Sequence, residues 1–357
     1  MMLPLSQFDY TRFETVGVLK KLNAASRQLA ELKGIAATIP NQAILVNTLA
    51  IQEAKDSSEI ENIITTHDEL FQDDLGPGSS LKPAAKEVLR YREALWQGFR
   101  EVGKTGLLTN QAILEIQGTL EQNDAGFRRL PGTTLQNEST GETVYTPPQD
   151  QREITELMDD LQNFINDPEL CAMDPLIKMA VIHHRFESIH PFYDGTGRTG
   201  RIINVLYLVK EQLLDIPTLY LSRHILQTKT EYYRLLQELR ISDDWEAWLI
   251  YMLTAVEKTS IETIETIRQI KDAFLDYKQR IRKQHKFYSQ DLINNLFTHP
   301  YTKIDFVQTD LKVSRVTASR YLDELCESGF LRKKKIGRTN FYINLRLSEI
   351  LSEPFTK

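Results

Sequence analysis

The sequence predicts a mainly α-helical protein with one β-hairpin excursion and a C-terminal winged helix-turn-helix module. Three observations carry this. Apolar residues recur at helical spacing through most of the chain, glycine, proline and threonine displace helix formers at 126–149, and three short helical patterns followed by two basic strand patterns occupy the C-terminal region. The 357 residues exceed one ordinary domain of ~100 to 200, and 41% hydrophobic with 26% charged residues suits a globular chain with a sizeable core. Four regions are expected: a helical N-terminal region over 1–107, a core over 108–255, a connecting helix over 256–288 and the winged module over 289–346.

In chain order, 13–32, 43–71 and 84–99 mix apolar and charged residues at roughly 3.6 spacing, with Leu29, Leu32, Ile51, Ile60, Ile64, Leu89 and Leu95 as core contacts. The LGPGSS stretch at 75–80 reads as a loop. Within 126–149, Thr143, Val144, Tyr145 and Thr146 favour an extended strand that Pro147 and Pro148 end, so a hairpin is expected. Asp174 is an N-cap ahead of Pro175 at the first helical position, and the helix it opens runs through LIKMAVIHHRFES and stops before Pro191. A second helix is expected from about Thr199, with Ile202, Val205, Leu206, Val209 and Leu213 as its buried stripe.

After Trp245–Leu253, a long charged helix from Glu257 to Lys286 leads to the last module. There QDLINNLF, KIDFVQTDL and SRVTASRYLDELCESG read as three helices, with Ser314 as N-cap and Gly329 as C-terminal stop, and FLRKKKIGRTNFYIN reads as two strands turning around Ile336 to Arg338. Nine Lys or Arg against five Asp or Glu between 301 and 345 place a basic patch in a chain whose formal charge is -6. Arg315, Thr317 and Arg320 on the third helix, with Lys333, Lys334, Lys335 and Arg338 on the wing, are the candidate DNA contacts, while Ala318, Leu322 and Leu325 face inward. Protein interaction or dimerisation is the other use of such a module.

No apolar run approaches the ~18 residues a membrane helix needs, and Asp9 and Glu14 interrupt any signal-peptide core, so a cytoplasmic protein without membrane attachment is expected. Cys171 and Cys326 have no companion at metal-ligand spacing and read as packing residues.

The chemistry concentrates at His190-Pro191-Phe192-Tyr193-Asp194-Gly195-Thr196-Gly197-Arg198-Thr199-Gly200-Arg201, which holds three of the sixteen glycines in six positions. Glycines at a helix start let N–H groups converge on an anion, and Arg198 and Arg201, one turn apart, add two permanent charges. Asp194 would be repelled by a phosphate there unless a divalent cation such as Mg²⁺ lay between them. His190 is a base near neutral pH, able to take the proton of an incoming hydroxyl. Two other uses compete. The loop can hold a structural anion, or His183, His184, His190, Glu187 and Asp194 can form a hydrolytic metal site, although two arginines suit a triphosphate better than a transition metal.

These residues resemble the Fic family of the Fic/DOC superfamily, whose signature HPFx[D/E]GNGRxxR is matched at every fixed position except Thr196, where the family usually has Asn. The resemblance extends over roughly 108–255 and implies a Fic-fold helical bundle with a β-hairpin flap, and transfer of AMP from ATP to a Ser, Thr or Tyr hydroxyl of a target protein, including the enzyme itself. It implies His190 as base, Asp194 as Mg²⁺ ligand, the loop from Gly195 through Thr196, Gly197, Thr199 and Gly200 around the phosphates, and Arg198 and Arg201 as their anchors. Tyr232 matches a family tyrosine near the adenine, and Thr143 to Thr146 look like the family's flap, which aligns a target by strand addition. A homodimer is expected from the same resemblance.

Ser57-Ser58-Glu59-Ile60-Glu61-Asn62 fits [S/T]xxxE[G/N], the pattern of an inhibitory helix in many Fic proteins. On that reading Ser57, Glu61 and Asn62 are regulatory, and Glu61 paired with Arg201 occupies the guanidinium that a γ-phosphate needs. Ser58 and Glu61 also fit an ordinary capping box. The rival function is a DNA-binding regulator whose Fic core only senses nucleotide.

Overall fold

The computed structural model describes residues 2–66, 69–70, 82–136, 140–170, 172–336 and 339–352. In chain order its main elements are α1 (Val16–Ala36), α2 (Gln42–Ile60), α3 (Pro83–Thr105), α4 (Asn110–Glu121), β1 (Leu135–Gln136), β2 (Thr143–Tyr145), α5 (Gln151–Asn166), α6 (Pro175–Ile189), α7 (Thr196–Lys210), α8 (Leu221–Gln227), α9 (Lys229–Ser242) and α10 (Trp245–Gln284). There follow α11 (Gln290–Thr298), β3 (Tyr301–Lys303), α12 (Ile304–Leu311), α13 (Arg315–Glu327), β4 (Leu331–Ile336), β5 (Thr339–Asn344) and α14 (Leu345–Ser352). Among the described residues no helix is long and apolar enough to cross a membrane.

Helices α6 and α7 form the centre. Every residue of α6 from Leu176 to Ile189 is buried, polar ones included, which is the signature of a helix covered on all sides. Asp174 caps it through the Leu176 N–H and Pro175 takes the first turn, as expected, and the Trp248 indole N–H on α10 donates to Ala180 O at 2.9 Å. Around this pair pack α2 and α3, α4, α5 and the first half of α10, while α1 lies along α10.

Several boundaries differ from the sequence expectation. Helix α2 stops at Ile60 instead of running to Phe71, because Asn62 adopts a left-handed φ of 62° and a Schellman closure forms. Its two bonds are Ile63 N to Ser58 O and Asn62 N to Glu59 O, both 3.0 Å. Ile64 is consequently 71% exposed and not a core contact. Leu213 lies beyond the end of α7. The segments Trp245–Leu253 and Glu257–Lys286 are one 40-residue helix, about 60 Å long at 1.5 Å per residue, so no break marks residue 255. The loop at 75–80, Phe71, Cys171 and the wing turn with Arg338 lie outside the described residues.

The C-terminal module keeps the expected three helices, with Ser314 Oγ capping α13 at Thr317 N and Gly329 at φ 76° just past its end. Ala318, Leu322 and Leu325 are buried. Two elements were not foreseen: β3, which makes the sheet three-stranded in the order β3-β5-β4, and α14. The module rests on the second half of α10, where the Tyr277 hydroxyl donates to Phe330 O, and on α2, where Gln52 Nε2 donates to Leu351 O at 3.0 Å.

Candidate active site

The site is the turn between α6 and α7. Helix α6 ends on His190, whose backbone takes the left-handed φ of 47°, unusual for a non-glycine residue. Arg128, fully buried, holds that conformation. Its Nε donates to His190 O at 2.8 Å, its Nη2 to Pro148 O at 2.8 Å, and its own N–H to Pro191 O. One side chain thus fixes both the histidine and the base of the hairpin. The Arg128 sequence context offered no motif, and its role emerges only from contacts 62 and 20 residues away.

Burial, then the charges of Arg128 and Arg240, push the His190 pKa down to about 4, so the imidazole is neutral at pH 7. Its Nδ1 has no partner among the described residues. A neutral imidazole can accept a proton.

Helix α7 begins at Thr196, three residues before the expected start, because Gly195 supplies the positive φ of 77° needed for the chain to turn straight into the helix. Gly197 and Gly200 therefore lie within the helix and serve different ends. A Cβ on Gly197 would run into Glu61 Oε1, whereas one on Gly200 would meet Glu187 Oε1 and Phe186 of α6. Gly200 permits close packing of α7 on α6. Thr196 Oγ1 turns back to Phe192 O at 3.4 Å, and Thr199 is fully buried.

Arg201 is 2% exposed and its guanidinium is spent on α2. Nε donates to Ser57 Oγ at 2.7 Å, and Nη2 donates to Ser57 O at 2.9 Å and to Glu61 Oε1 at 2.8 Å. Burial raises the Glu61 carboxyl, but Arg201 outweighs it and holds the pKa below its ordinary value, so Glu61 is ionised at neutral pH. The structure thus brings Ser57, Glu61 and Arg201 together, and Asn62 closes the helix just after the glutamate. Ser58 and Glu61 stand at the end of α2 and not at its start, which removes the capping-box alternative. Arg198 is engaged too, by Glu121 at 2.7 Å and Glu87 at 3.3 Å.

Asp194 is exposed on the turn, and Gln117 Nε2 donates to its carbonyl at 3.3 Å. Among the described residues there is no group of three or more His, Cys, Asp or Glu able to hold a metal ion. A lone carboxylate beside an anion cradle does fit Mg²⁺, which binds through one or two carboxylates plus substrate phosphates.

Tyr232 is not in the open part of the site. It is 1% exposed, its hydroxyl lies 2.8 Å from His183 Nε2, and it packs on Trp248. His183, buried with its pKa pushed to about 3 by burial and Arg201, is a core residue. On the hairpin, β1 and β2 pair antiparallel, and Thr143 and Val144 are exposed. Tyr145 turns inward instead: its hydroxyl donates to Ser188 O at 2.9 Å and Arg240 stacks 4.1 Å above its ring. It anchors the hairpin. Thr146 lies beyond the strand and is exposed.

Of the C-terminal residues proposed for DNA contact, Arg315 pairs with Asp305 at 2.7 Å, Arg320 approaches Glu324 at 3.8 Å and Lys333 pairs with Asp323 at 2.8 Å. Thr317 sits in the Ser314 cap, Lys335 is exposed and Lys334 is half-buried.

Family models described as Fic/DOC family N-terminal and Fic/DOC family match residues 19–100 and 107–208, and one described as the C-terminal domain of SoFic-like protein adenylyltransferase matches 274–347. Over 90 residues the chain is 31% identical to a protein adenylyltransferase of Caenorhabditis briggsae, covering 25% of this chain and 17% of that protein. It is 28% identical over 172 residues to a probable protein adenylyltransferase of Aquifex aeolicus, covering 47% of this chain and 50% of that one. The chain thus spans half or less of the length of these relatives. A Fic family protein from Desulfovibrio desulfuricans aligns over 92% of this chain and 96% of its own with a TM-score of 0.59 at 20% identity, a likeness of fold alone. With the two Fic/DOC models together spanning more than half of its length and the arginine-flanked loop inside the second, this chain belongs to the Fic/DOC family.

Proposed function

We propose that this chain transfers AMP from ATP to a side-chain hydroxyl of a target protein and that Glu61 restrains the activity. The observation that carries the reading is the place of Glu61 Oε1: it bonds Arg201 and covers Gly197, the position a phosphate oxygen needs. A carboxylate lying where an anion should bind is a competitor for it.

The residues then have definite tasks. The N–H groups at the start of α7 and the Arg198 and Arg201 guanidinium groups would hold the phosphates. Asp194 would hold Mg²⁺, which supplies charge neutralisation for the leaving pyrophosphate when bound. Neutral His190 takes the proton from the target hydroxyl as its oxygen bonds to the α-phosphorus and the bond to pyrophosphate breaks. The exposed edge at Thr143 and Val144 offers main-chain pairing to a target segment, and Tyr145, clamped by Arg240 and Ser188, fixes where that edge lies.

The test is incubation of the full chain with labelled ATP and Mg²⁺. Glu61→Gly is expected to raise AMP incorporation into the protein or an added lysate at least tenfold, and His190→Ala in that background to abolish it while ATP still binds. Unchanged incorporation on removing Glu61 would take the restraint away from it; persistent transfer without His190 would take the base role from the histidine. For the C-terminal module, the three helices, the sheet and the basic strand β4 support a winged-helix reading with DNA as one partner.

A further inference from the structure

Glu61 is not the only carboxylate on the cradle. Arg198 is 7% exposed in its side chain, and its Nη2 lies 2.7 Å from Glu121 Oε1 while Nη1 lies 3.3 Å from Glu87 Oε2. The same Glu121 oxygen covers Gly195, since a Cβ there would run into it, just as Glu61 Oε1 covers Gly197. Two carboxylate oxygens, delivered by the ends of α2 and α4, therefore each engage one arginine of the loop and each sit over one glycine.

The position of Glu121 is not one that local electrostatics would choose. It is the last residue of α4, at the negative end of the helix dipole, where a carboxylate is disfavoured. Burial raises its pKa above the ordinary value, and Asp194 and Glu87 add to this against the pull of Arg198. Two carboxylates thus share the Arg198 guanidinium, and a third, Asp194, lies close enough to repel Glu121. The next residue, Gln122, is left-handed at φ 54°, so the helix ends there and the Glu121 side chain can swing away without unwinding α4.

We infer that Glu121 is a second acidic gate on the nucleotide cradle, closing Arg198 and Gly195 as Glu61 closes Arg201 and Gly197. The inference rests on the reading of the cradle as a triphosphate site. An incoming phosphate displaces Glu121 from Arg198, and Glu87, more distant and more exposed, stays as the anchor of that arginine. Removal of Glu61 then frees only half of the cradle.

Calorimetric titration of Mg·ATP into the full chain separates the possibilities, using wild type, Glu61→Gly, and Glu61→Gly combined with Glu121→Ala or with Glu121→Gln. Glu121→Ala is expected to tighten the Kd of the Glu61→Gly protein about tenfold, ~1.4 kcal/mol, and Glu121→Gln to tighten it less, since an amide oxygen still accepts from Arg198. ATP binding by Glu61→Gly with no gain, or a loss, in both double variants would overturn the gate and make Glu121 a positioning group for Arg198 or a partner of Asp194 in cation binding. Absence of ATP binding in all four proteins would overturn the nucleotide reading and the gate with it.

Discussion

The loop between α6 and α7 and the C-terminal module both carry arginines next to carboxylates, yet the two sets of pairs differ in kind. Arg201 is 1% exposed in its side chain and makes three bonds to α2; Arg315 is 67% exposed and makes one, to an Asp305 that is itself 60% exposed. A guanidinium taken out of water loses its hydration and depends on protein partners, whereas an exposed one exchanges protein for solvent at little cost. Proximity of opposite charges therefore says little until burial is known.

The largest expected effect sets the contrast directly. Arg201→Ala leaves Ser57 Oγ and the Glu61 carboxylate without their partner, and the loss in denaturant unfolding should be about 3 kcal/mol. The Glu61 side chain is 35% exposed, so a loss below ~1 kcal/mol would mean that water already compensates the carboxylate and that the contrast between the regions fails.

Glu53 sharpens the point, because here a buried carboxyl is held by hydroxyl donors, with Arg201 only a minor pull on its charge. It is 1% exposed, accepts from Tyr91 Oη at 2.9 Å and from the Ser222 hydroxyl, and burial carries its pKa from 4.5 up to about 7. The folded pKa exceeds the unfolded one, so the contribution to stability is complete below about 4.5 and is lost as pH rises through about 7. Over that window the loss is of order 3 kcal/mol. Glu53→Gln should flatten this component of the stability-pH curve, whatever it does to the absolute level. An unaltered slope between pH 4.5 and 7 would show that Glu53 does not titrate there.

How far these features can be read from the sequence follows from the range of the interactions behind them. Asp174, Pro175, Ser314 and Gly329 are legible because caps and stops act on their own few residues. The arginine-flanked loop and the Ser57 to Asn62 pattern are legible because each packs its chemistry into one short stretch. Arg128, Glu121 and the inward turn of Tyr145 are not, since their partners lie 62, 77 and 43 residues away and nothing local distinguishes them from surface residues. The start of α7 at Thr196 rather than near Thr199 is not legible either, since Gly197 and Gly200 lie inside the helix against Glu61 and Glu187, which are far away in the chain. The continuity of α10 is hidden for another reason: its exposed charged face resembles a linker until α1 is seen lying along it.

Asn62 tests a smaller term of the same kind. Its left-handed φ of 62° ends α2 and thereby places Glu61. Asn62→Ala should cost about 1 kcal/mol, and Asn62→Gly should be close to neutral. In the transfer assay Asn62→Ala is expected to release activity partially, by loosening the glutamate that its neighbour positions. Equal stability of the two variants would show that backbone conformation at 62 does not hold the end of α2.

The smallest stability effect belongs to Arg315, and it separates folding from binding. Arg315→Ala removes a single exposed ion pair with Asp305, so unfolding should shift by no more than about 0.5 kcal/mol. If the module docks on DNA, the same substitution should weaken a duplex at low salt and reduce the slope of log affinity against log salt by about 1, one phosphate contact. The opposite substitution, Asp305→Ala, frees the guanidinium and removes a repelling charge, so binding should strengthen with stability again unchanged. Two variants at one pair moving affinity in opposite directions cannot arise from misfolding. If neither moves it, Arg315 takes no part in duplex contact, and the module's surface is better assigned to protein partners than to the nucleic-acid backbone.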